Sequence, residues 1–491
     1  MKIGIIGTGN ISYRHFEEFS KINDVNIEAV CDVNNENLHK FISHFGGNIK
    51  SYSSTEEMLE KEKEFDGISN TTPDRFHKDI SLKIIEKNFN VFSEKPLAEN
   101  FEDAKTLASA ANDKKVIDQN QLNLFLKKVF QLVIQQKSEM KIGIIGTGNI
   151  SYRHFEEFSK INGINIEAVC DVNEENLHKF ISHFGGNIKS YSSAEEMLEK
   201  EKEFDGISNT TPDRFHKDIS LKIIEKNFNV FSEKPLAENF EDAKTLASAA
   251  NDKNVINMVN FTYRESSAYQ KLVEIIKKGA LGNPKHVSAN YYQSWLTSNK
   301  WGNWREEDRW LWRLSTQHGS NGALGDTGVH IFDFAVNAVG DIKQLCADLK
   351  TYKEKGEKIN DYVLDANDGF TSLVKFENGA IGTITNTRYA TGHANTLTLE
   401  VFCEKGALKV ELDEERNKWS TLHICEGENV NDITWDVIEC EKTPTNYYRF
   451  INSIKSKTND QPDFLHGAKI QNILDMCMKS NDIRQWVDIT N

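Results

Sequence analysis

Long apolar runs are missing from this sequence: none approaches the roughly 20 residues that a membrane-spanning helix needs, so no bilayer partner is expected. Cysteine is scarce. Its seven residues are scattered and form no Cys-x-x-Cys pair, which argues against a disulfide framework or a metal site and for a reducing cytoplasm. Positive charge is in deficit as well. A formal net charge of −15 repels phosphate backbones, so nucleic acid is not an expected partner, and the charge reads as solubility. The apolar stretch of Met1–Gly7 is too short to be expected to act as a secretory signal. What remains, 38% hydrophobic and 27% charged over 491 residues, is ordinary globular composition with room for two or three domains.

The chain repeats itself. Residues 1–117 recur at 140–256 with five differences: Asp24/Gly163, Val25/Ile164, Asn35/Glu174, Thr55/Ala194 and Lys115/Asn254. A single repeat of domain size excludes a solenoid and reads either as a recent tandem duplication or as an error in the gene model. The copies part after Ile117, where Asp118-Gln119-Asn120-Gln121 stands against Asn257-Met258-Val259-Asn260. Within each copy, apolar strands alternate with amphipathic helical segments. In the second the strands are expected at 141–145, 166–170, 206–209, 229–232 and 255–259, which implies a parallel sheet covered on both faces. Beyond about 260 the pattern becomes strict apolar/polar alternation over 369–376, 380–386, 396–403 and 407–412, broken by Glu377-Asn378-Gly379 and Glu404-Lys405-Gly406. That predicts a largely antiparallel open sheet with one wet face. The expected fold is therefore an α/β Rossmann domain, present twice in tandem, followed by an α+β domain. The boundaries are 1–117 (truncated copy), 118–139 (helical linker), 140–260 (NAD-binding domain), 261–445 (substrate and oligomerisation domain) and 446–491 (C-terminal helices returning to the Rossmann domain).

Gly146-Thr147-Gly148-Asn149-Ile150-Ser151 follows a strand and opens a helix. The first glycine permits the tight turn, and the second lets a pyrophosphate approach the helix N-terminus. Ser151 stands where a third glycine or alanine is usual, and is small enough for close packing. Asp171 follows 20 residues later at a strand end, placed to accept hydrogen bonds from the adenosine ribose. Its charge would repel a 2′-phosphate and no arginine follows it, so NAD is expected over NADP.

Three further motifs carry the chemistry. Thr210-Thr211-Pro212-Asp213-Arg214-Phe215-His216 and Glu233-Lys234-Pro235 each follow a strand, and Gly325-Asp326-Thr327-Gly328-Val329-His330 opens a helix. Together they resemble the Gfo/Idh/MocA family of glucose–fructose oxidoreductases and inositol dehydrogenases, throughout residues 140–491. The resemblance implies hydride transfer from a sugar, cyclitol or polyol hydroxyl to NAD. It implies that Gly146, Gly148, Asn149, Ile150, Asp171, Thr211, Pro212, His216, Glu233 and Lys234 hold the cofactor. It makes Lys234, Asp326 and His330 the catalytic set: His330 as base, Asp326 orienting substrate and His330, and Lys234 bonding the reacting oxygen. Either Lys234 or His330 could take the proton on sequence grounds. The Lys234-Pro235 bond is expected to be cis.

Trp295, Trp301, Trp304, Trp310 and Trp312 fall within 18 residues, interleaved with Arg305, Arg309 and Arg313. Aromatic faces beside polar donors suit a sugar ring, which makes Trp304, Trp312 and Arg313 substrate candidates, with Tyr263 and Arg264 beside them. The same composition suits a subunit contact, and a homo-oligomer through the C-terminal sheet is expected. Two other readings stand beside the dehydrogenase: an NAD-using glycoside hydrolase, and a non-catalytic regulator sensing sugar or dinucleotide. Retention of Lys234, Asp326 and His330 together speaks against the regulator.

Overall fold

The computed structural model describes residues 1–22, 24–47, 49–94, 97–98, 101–113, 140–185, 188–413 and 418–490. The chain divides into two compact units, Met1–Lys137 and Ser138–Asn491. The expected linker over 118–139, the polar run at 118–121 and Lys95 lie outside the described residues.

In the first unit five parallel strands run in the order Lys50–Tyr52, Asn26–Cys31, Lys2–Ile6, Gly67–Asn70 and Val91–Ser93. Side-chain caps define the helices. Asn34 accepts from the amides of Glu36 and Asn37 to start Asn35–Phe45, and Ser54 accepts from Glu57 to start Thr55–Lys61; each bond satisfies an N–H that the helix itself leaves unpaired.

The second unit opens on a six-stranded parallel sheet. Its order is Asn257–Val259, Asn229–Ser232, Gly206–Asn209, Met140–Ile145, Ile164–Cys170 and Lys189–Tyr191. The last strand in sequence starts two residues later than expected, because the Val255 amide bonds the Ala250 carbonyl and closes the preceding helix instead. The C-terminal sheet has nine strands, in the order 436–439, 421–426, 406–413, 396–403, 284–292, 381–387, 369–376, 342–350, 487–488. It is mostly antiparallel, with Pro284–Tyr292 and Ile381–Thr387 paired in parallel. Val287, Ala289, Leu399, Val401, Leu408 and Val410 are buried on one face, under the helices Ser267–Lys277 and Val329–Val339. Alternate residues of Gly369–Phe376 (Thr371, Leu373, Lys375) point to the other face and are exposed, as period-two patterning requires.

The tail returns to the Rossmann sheet. In the helix Asn446–Ser456, Tyr447 and Phe450 pack on Phe231 at ring-centroid distances of 5.1 and 5.2 Å. Phe231 is fully buried, whereas its counterpart Phe92 in the first unit is half-buried. Identical local sequence thus gains a different environment from tertiary partners. The last helix, Phe464–Ile483, ends where Arg484 takes φ +56°; the chain then adds Val487–Asp488 to the sheet edge beside Ile342–Lys350, so the C-terminal segment expected to be helical closes on a short strand. Among the described residues no helix is long and apolar enough to cross a membrane.

Candidate active site

The turn after Met140–Ile145 carries two glycines in different settings. Gly146 has φ +96°, and a Cβ there would lie 2.8 Å from the Thr210 carbonyl. Gly148 has an ordinary φ of −71°, and a Cβ there would meet nothing within 4 Å. No protein atom requires glycine at 148, so the open space before the Asn149–Ser159 helix fits a ligand group approaching that N-terminus. Gly148, Asn149 and Ile150 border this space, Asn149 and Ile150 being exposed, while Ser151 is buried and donates back to the Gly148 carbonyl at 2.6 Å. Asp171 braces the same turn: its Oδ2 accepts from the Thr147 amide (2.7 Å) and hydroxyl (2.9 Å), and its Oδ1 from the Asn173 amide. The next residue, Val172, is exposed and apolar; it offers no cation to a 2′-phosphate.

Lys234 extends from the end of Asn229–Ser232. The Lys234-Pro235 bond is cis, and Nζ donates to the Asp326 carbonyl oxygen at 2.9 Å and to its Oδ1 at 3.3 Å. Asp326 lies in a π-helical turn, Leu324–Gly328, that leads into the α-helix Val329–Val339. Glycines let this turn pack closely: a Cβ on Gly328 would lie 2.7 Å from the Phe370 ring. Arg388 is fully buried, and its Nη2 donates to Asp326 Oδ2 at 3.0 Å, with Arg313 Nε 3.9 Å from the same oxygen. Burial alone would raise the Asp326 carboxyl, but the charges of Lys234, Arg388 and Arg313 outweigh it and hold the group well below the ordinary range.

His330 is buried, and its Nδ1 has no hydrogen-bond partner. Its ring sits edge-on to Tyr263, 4.8 Å between centroids; the Tyr263 hydroxyl lies 2.6 Å from that of Tyr291. Burial first, and the Lys234 charge second, push His330 down to about 3. It is therefore a neutral imidazole at neutral pH. The expected bond from Asp326 to His330 is not formed, because the Asp326 carboxylate is taken by Lys234 and Arg388.

Several expected contact residues are turned elsewhere. His216 is fully buried, with Nδ1 2.6 Å from the Pro235 carbonyl and Nε2 2.7 Å from the Thr211 carbonyl. It pins the Thr211-Pro212 loop to the Lys234-Pro235 turn and has no ring nitrogen left for a cofactor. Thr211 bonds Asn209 Oδ1 through its hydroxyl at 2.7 Å, and Pro212 is exposed. Glu233 faces inward: Oε1 accepts from His154 (2.8 Å) and Asn260 (2.7 Å), and Oε2 from the Lys234 amide (3.2 Å). Against the effect of burial, the His154 bond and charge draw Glu233 down to about 2. Arg264 is 2% exposed and forks onto Asp333, with bonds of 2.6 to 3.1 Å, and onto His466. It is an internal ion pair, not a cleft residue. Trp304 is also buried, its Nε1 donating to the Leu296 carbonyl, in an apolar cluster with Trp295, Leu311 and Leu314. Trp312 is half-buried with the Arg313 guanidinium 4.6 Å from its ring centre, and Arg313 is the substrate candidate that reaches the Asp326 carboxylate. Sequence reasoning missed Arg388, which carries no motif, and Tyr291, which reads as one more strand residue.

Comparison with known proteins identifies the family and the fold. A profile described as "Oxidoreductase family, NAD-binding Rossmann fold" matches residues 1–121 and again 140–261, and one described as "GFO/IDH/MocA C-terminal domain" matches 269–409. Levoglucosan dehydrogenase of Pseudarthrobacter phenanthrenivorans is 24% identical over 312 residues, 57% of this chain and 78% of that protein. Glucose-6-phosphate 3-dehydrogenase of Bacillus subtilis is 24% identical over 370 residues, 71% of this chain and 99% of that protein. Among solved structures, levoglucosan dehydrogenase in complex with NADH and levoglucosan matches with a TM-score of 0.63 at 22% identity, over 72% of this chain and 99% of that one.

Proposed function

The chain belongs to the Gfo/Idh/MocA family of NAD-binding oxidoreductases, and from that premise we propose that residues 140–491 oxidise a secondary hydroxyl of a sugar, cyclitol or polyol with NAD. The observation that carries this reading is the meeting of Lys234, Asp326 and an unprotonated His330 at the seam between a Rossmann strand end and the π turn of the C-terminal domain. Gly146, Gly148, Asn149, Ile150, Asp171, Thr211 and Pro212 would hold NAD, which accepts the hydride when bound. His216 and Glu233 act behind them, fixing the loop and the Lys234 backbone.

Each remaining step belongs to a side chain. A neutral imidazole with an unbonded nitrogen can take the hydroxyl proton as the hydride departs, so His330 is the base. An ammonium has three N–H groups; Lys234 gives two to Asp326, and the third is left for the reacting oxygen, where it stabilises developing alkoxide charge. Asp326 keeps Lys234 in place. Arg313 and Trp312 offer a cation and an aromatic edge to substrate.

The first unit is read as a duplicated, catalytically silent copy. Its Gly7 has φ +94°, its Asp32 accepts from the Thr8 amide at 2.6 Å, and a Cβ on Gly9 would meet nothing within 4 Å. It therefore repeats the cofactor half, and its sequence holds no counterpart of Asp326 or His330. On the C-terminal sheet, exposed Ile381 and Phe402 flank His286 in register, and this apolar row supports assembly of a homo-oligomer there. All seven cysteines are free, which fits a cytoplasmic location.

The test is NADH formation, followed at its near-ultraviolet absorbance, across a panel of monosaccharides and inositols. Steady net reduction of NAD is expected with at least one of them. Glycoside cleavage without net reduction would instead favour the NAD-using hydrolase, and cofactor binding without turnover the regulator.

A further inference from the structure

Arg388 is the largest polar side chain around the site that sequence motifs leave unexplained. It follows the strand Ile381–Thr387, anchored by its amide to the Asp368 carbonyl at 2.9 Å. Its side chain is fully buried. Nη2 grips Asp326 Oδ2 (3.0 Å), Nη1 donates to the Arg313 carbonyl (3.3 Å), and the guanidinium lies 4.9 Å from the Trp295 ring centre. One planar fork therefore joins the C-terminal sheet, the Trp/Arg segment and the carboxylate that Lys234 leans on.

We infer that Arg388 is a positioning residue of the dehydrogenase: it occupies one oxygen of Asp326, so that Lys234 is held on the other oxygen and the backbone carbonyl with an N–H left for substrate. Without Arg388, Asp326 would have both oxygens open to Lys234, and the closer ion pair would draw Nζ off the substrate oxygen. A permanent guanidinium charge also disfavours a proton on every nearby base. A charged group buried for no purpose is costly unless paired; here the pairing falls on Asp326, beside the proposed chemistry, instead of on a carboxylate elsewhere in the core.

The inference rests on the dehydrogenase reading, and the two fail separately. NADH formation by the unaltered chain tests that reading, and only the ratios of variant to unaltered chain test this one. Arg388→Gln keeps a neutral donor and loses the charge; Arg388→Lys keeps the charge and loses the fork. For Arg388→Gln the expected result is a kcat lowered about 10- to 100-fold, with KM for NAD within about twofold, as when an interaction acts in the transition state. The rising limb of kcat against pH should also move up by on the order of one pH unit, since the guanidinium bonded to Asp326 no longer helps to keep that carboxylate ionised. A purely structural arginine would lower Tm without moving that limb. Arg388→Lys should lower kcat by about 10-fold and leave the limb where it was. Should Arg388→Gln not fold, Arg388→Lys decides alone, through kcat. Unchanged kcat in either folded variant, or a loss confined to KM for NAD, overturns the inference.

Discussion

Lys234 Nζ donates to the backbone carbonyl of Asp326, 92 positions away, at 2.9 Å, closer than its 3.3 Å contact with the Asp326 carboxylate. The lysine is thus fixed to the π turn by the main chain first and by charge second. A carbonyl carries no titratable proton, so this anchor persists if the carboxylate is altered. It leaves His330, four residues on, as the group whose removal should cost chemistry most directly.

His330→Ala should lower kcat by ~10²–10⁴-fold, the usual weight of general acid–base catalysis. Kd for NAD, read by fluorescence titration, should change little, because the ring packs on Tyr263 and Phe261 and not on the glycine turn. Near-normal turnover would remove His330 from the base role.

Asp171→Ala should raise KM for NAD more than it lowers kcat, since lost ribose bonds are uniform binding. The structure adds a second consequence. Asp171 also accepts from the Thr147 amide and hydroxyl, so Asp171→Asn, which keeps an acceptor there, should recover part of the affinity. A large kcat deficit persisting at saturating NAD would mean that Asp171 does something else.

How much of this was legible beforehand follows from where each constraint acts. The glycine turn, Asp171, Lys234, Asp326 and His330 could be located because local backbone demands sit beside them: a positive φ at Gly146, strand ends, a close approach at Gly328. Arg264 and Trp304 were misjudged because their partners are tertiary. Asp333 lies 69 positions from Arg264, and the Trp304 indole N–H is satisfied by a carbonyl, Leu296, that no side-chain pattern reveals. A tryptophan-rich stretch looked like a sugar platform; much of it instead packs on itself, with Trp295 stacked on Trp310 at 5.3 Å. Arg388 was invisible for the complementary reason: an arginine after a strand is ordinarily solvated, and only the fold buries this one.

Stability should depend on pH through His330. The group is pushed from an ordinary 6.5 down to about 3 in the folded chain, so between those values the unfolded chain binds a proton that the folded chain refuses. Its contribution is complete above 6.5 and is lost as pH falls toward 3. The loss between pH 7 and 5 amounts to about 2 kcal/mol. His330→Phe removes the titration and keeps an aromatic ring. Urea denaturation at both pH values should show a smaller drop for the variant than for the unaltered chain; equal drops would mean that His330 is not held neutral.

The last prediction concerns the repeat. The turn of the first unit matches that of the second, Gly7 at φ +94° against Gly146 at +96°, each with a following glycine facing open space. Glu94 pairs with His15 at 2.7 Å as Glu233 pairs with His154, and the Asn260 and Tyr447 of the second network come from sequence beyond the repeat. Val91, Phe92 and Ser93 are only half-buried, whereas Val230, Phe231 and Ser232 are buried. At roughly 25 cal/mol per Å² of apolar surface, the first unit should be the less stable, and calorimetry should resolve it as the lower of two transitions. Because the catalytic set lies wholly within Ser138–Asn491, a chain beginning at Met140 should keep full activity per mole and bind one NAD. The lower transition should vanish with the deletion. If the shortened chain is folded by circular dichroism yet inactive, the first unit is part of the working enzyme, and its reading as a silent copy is wrong.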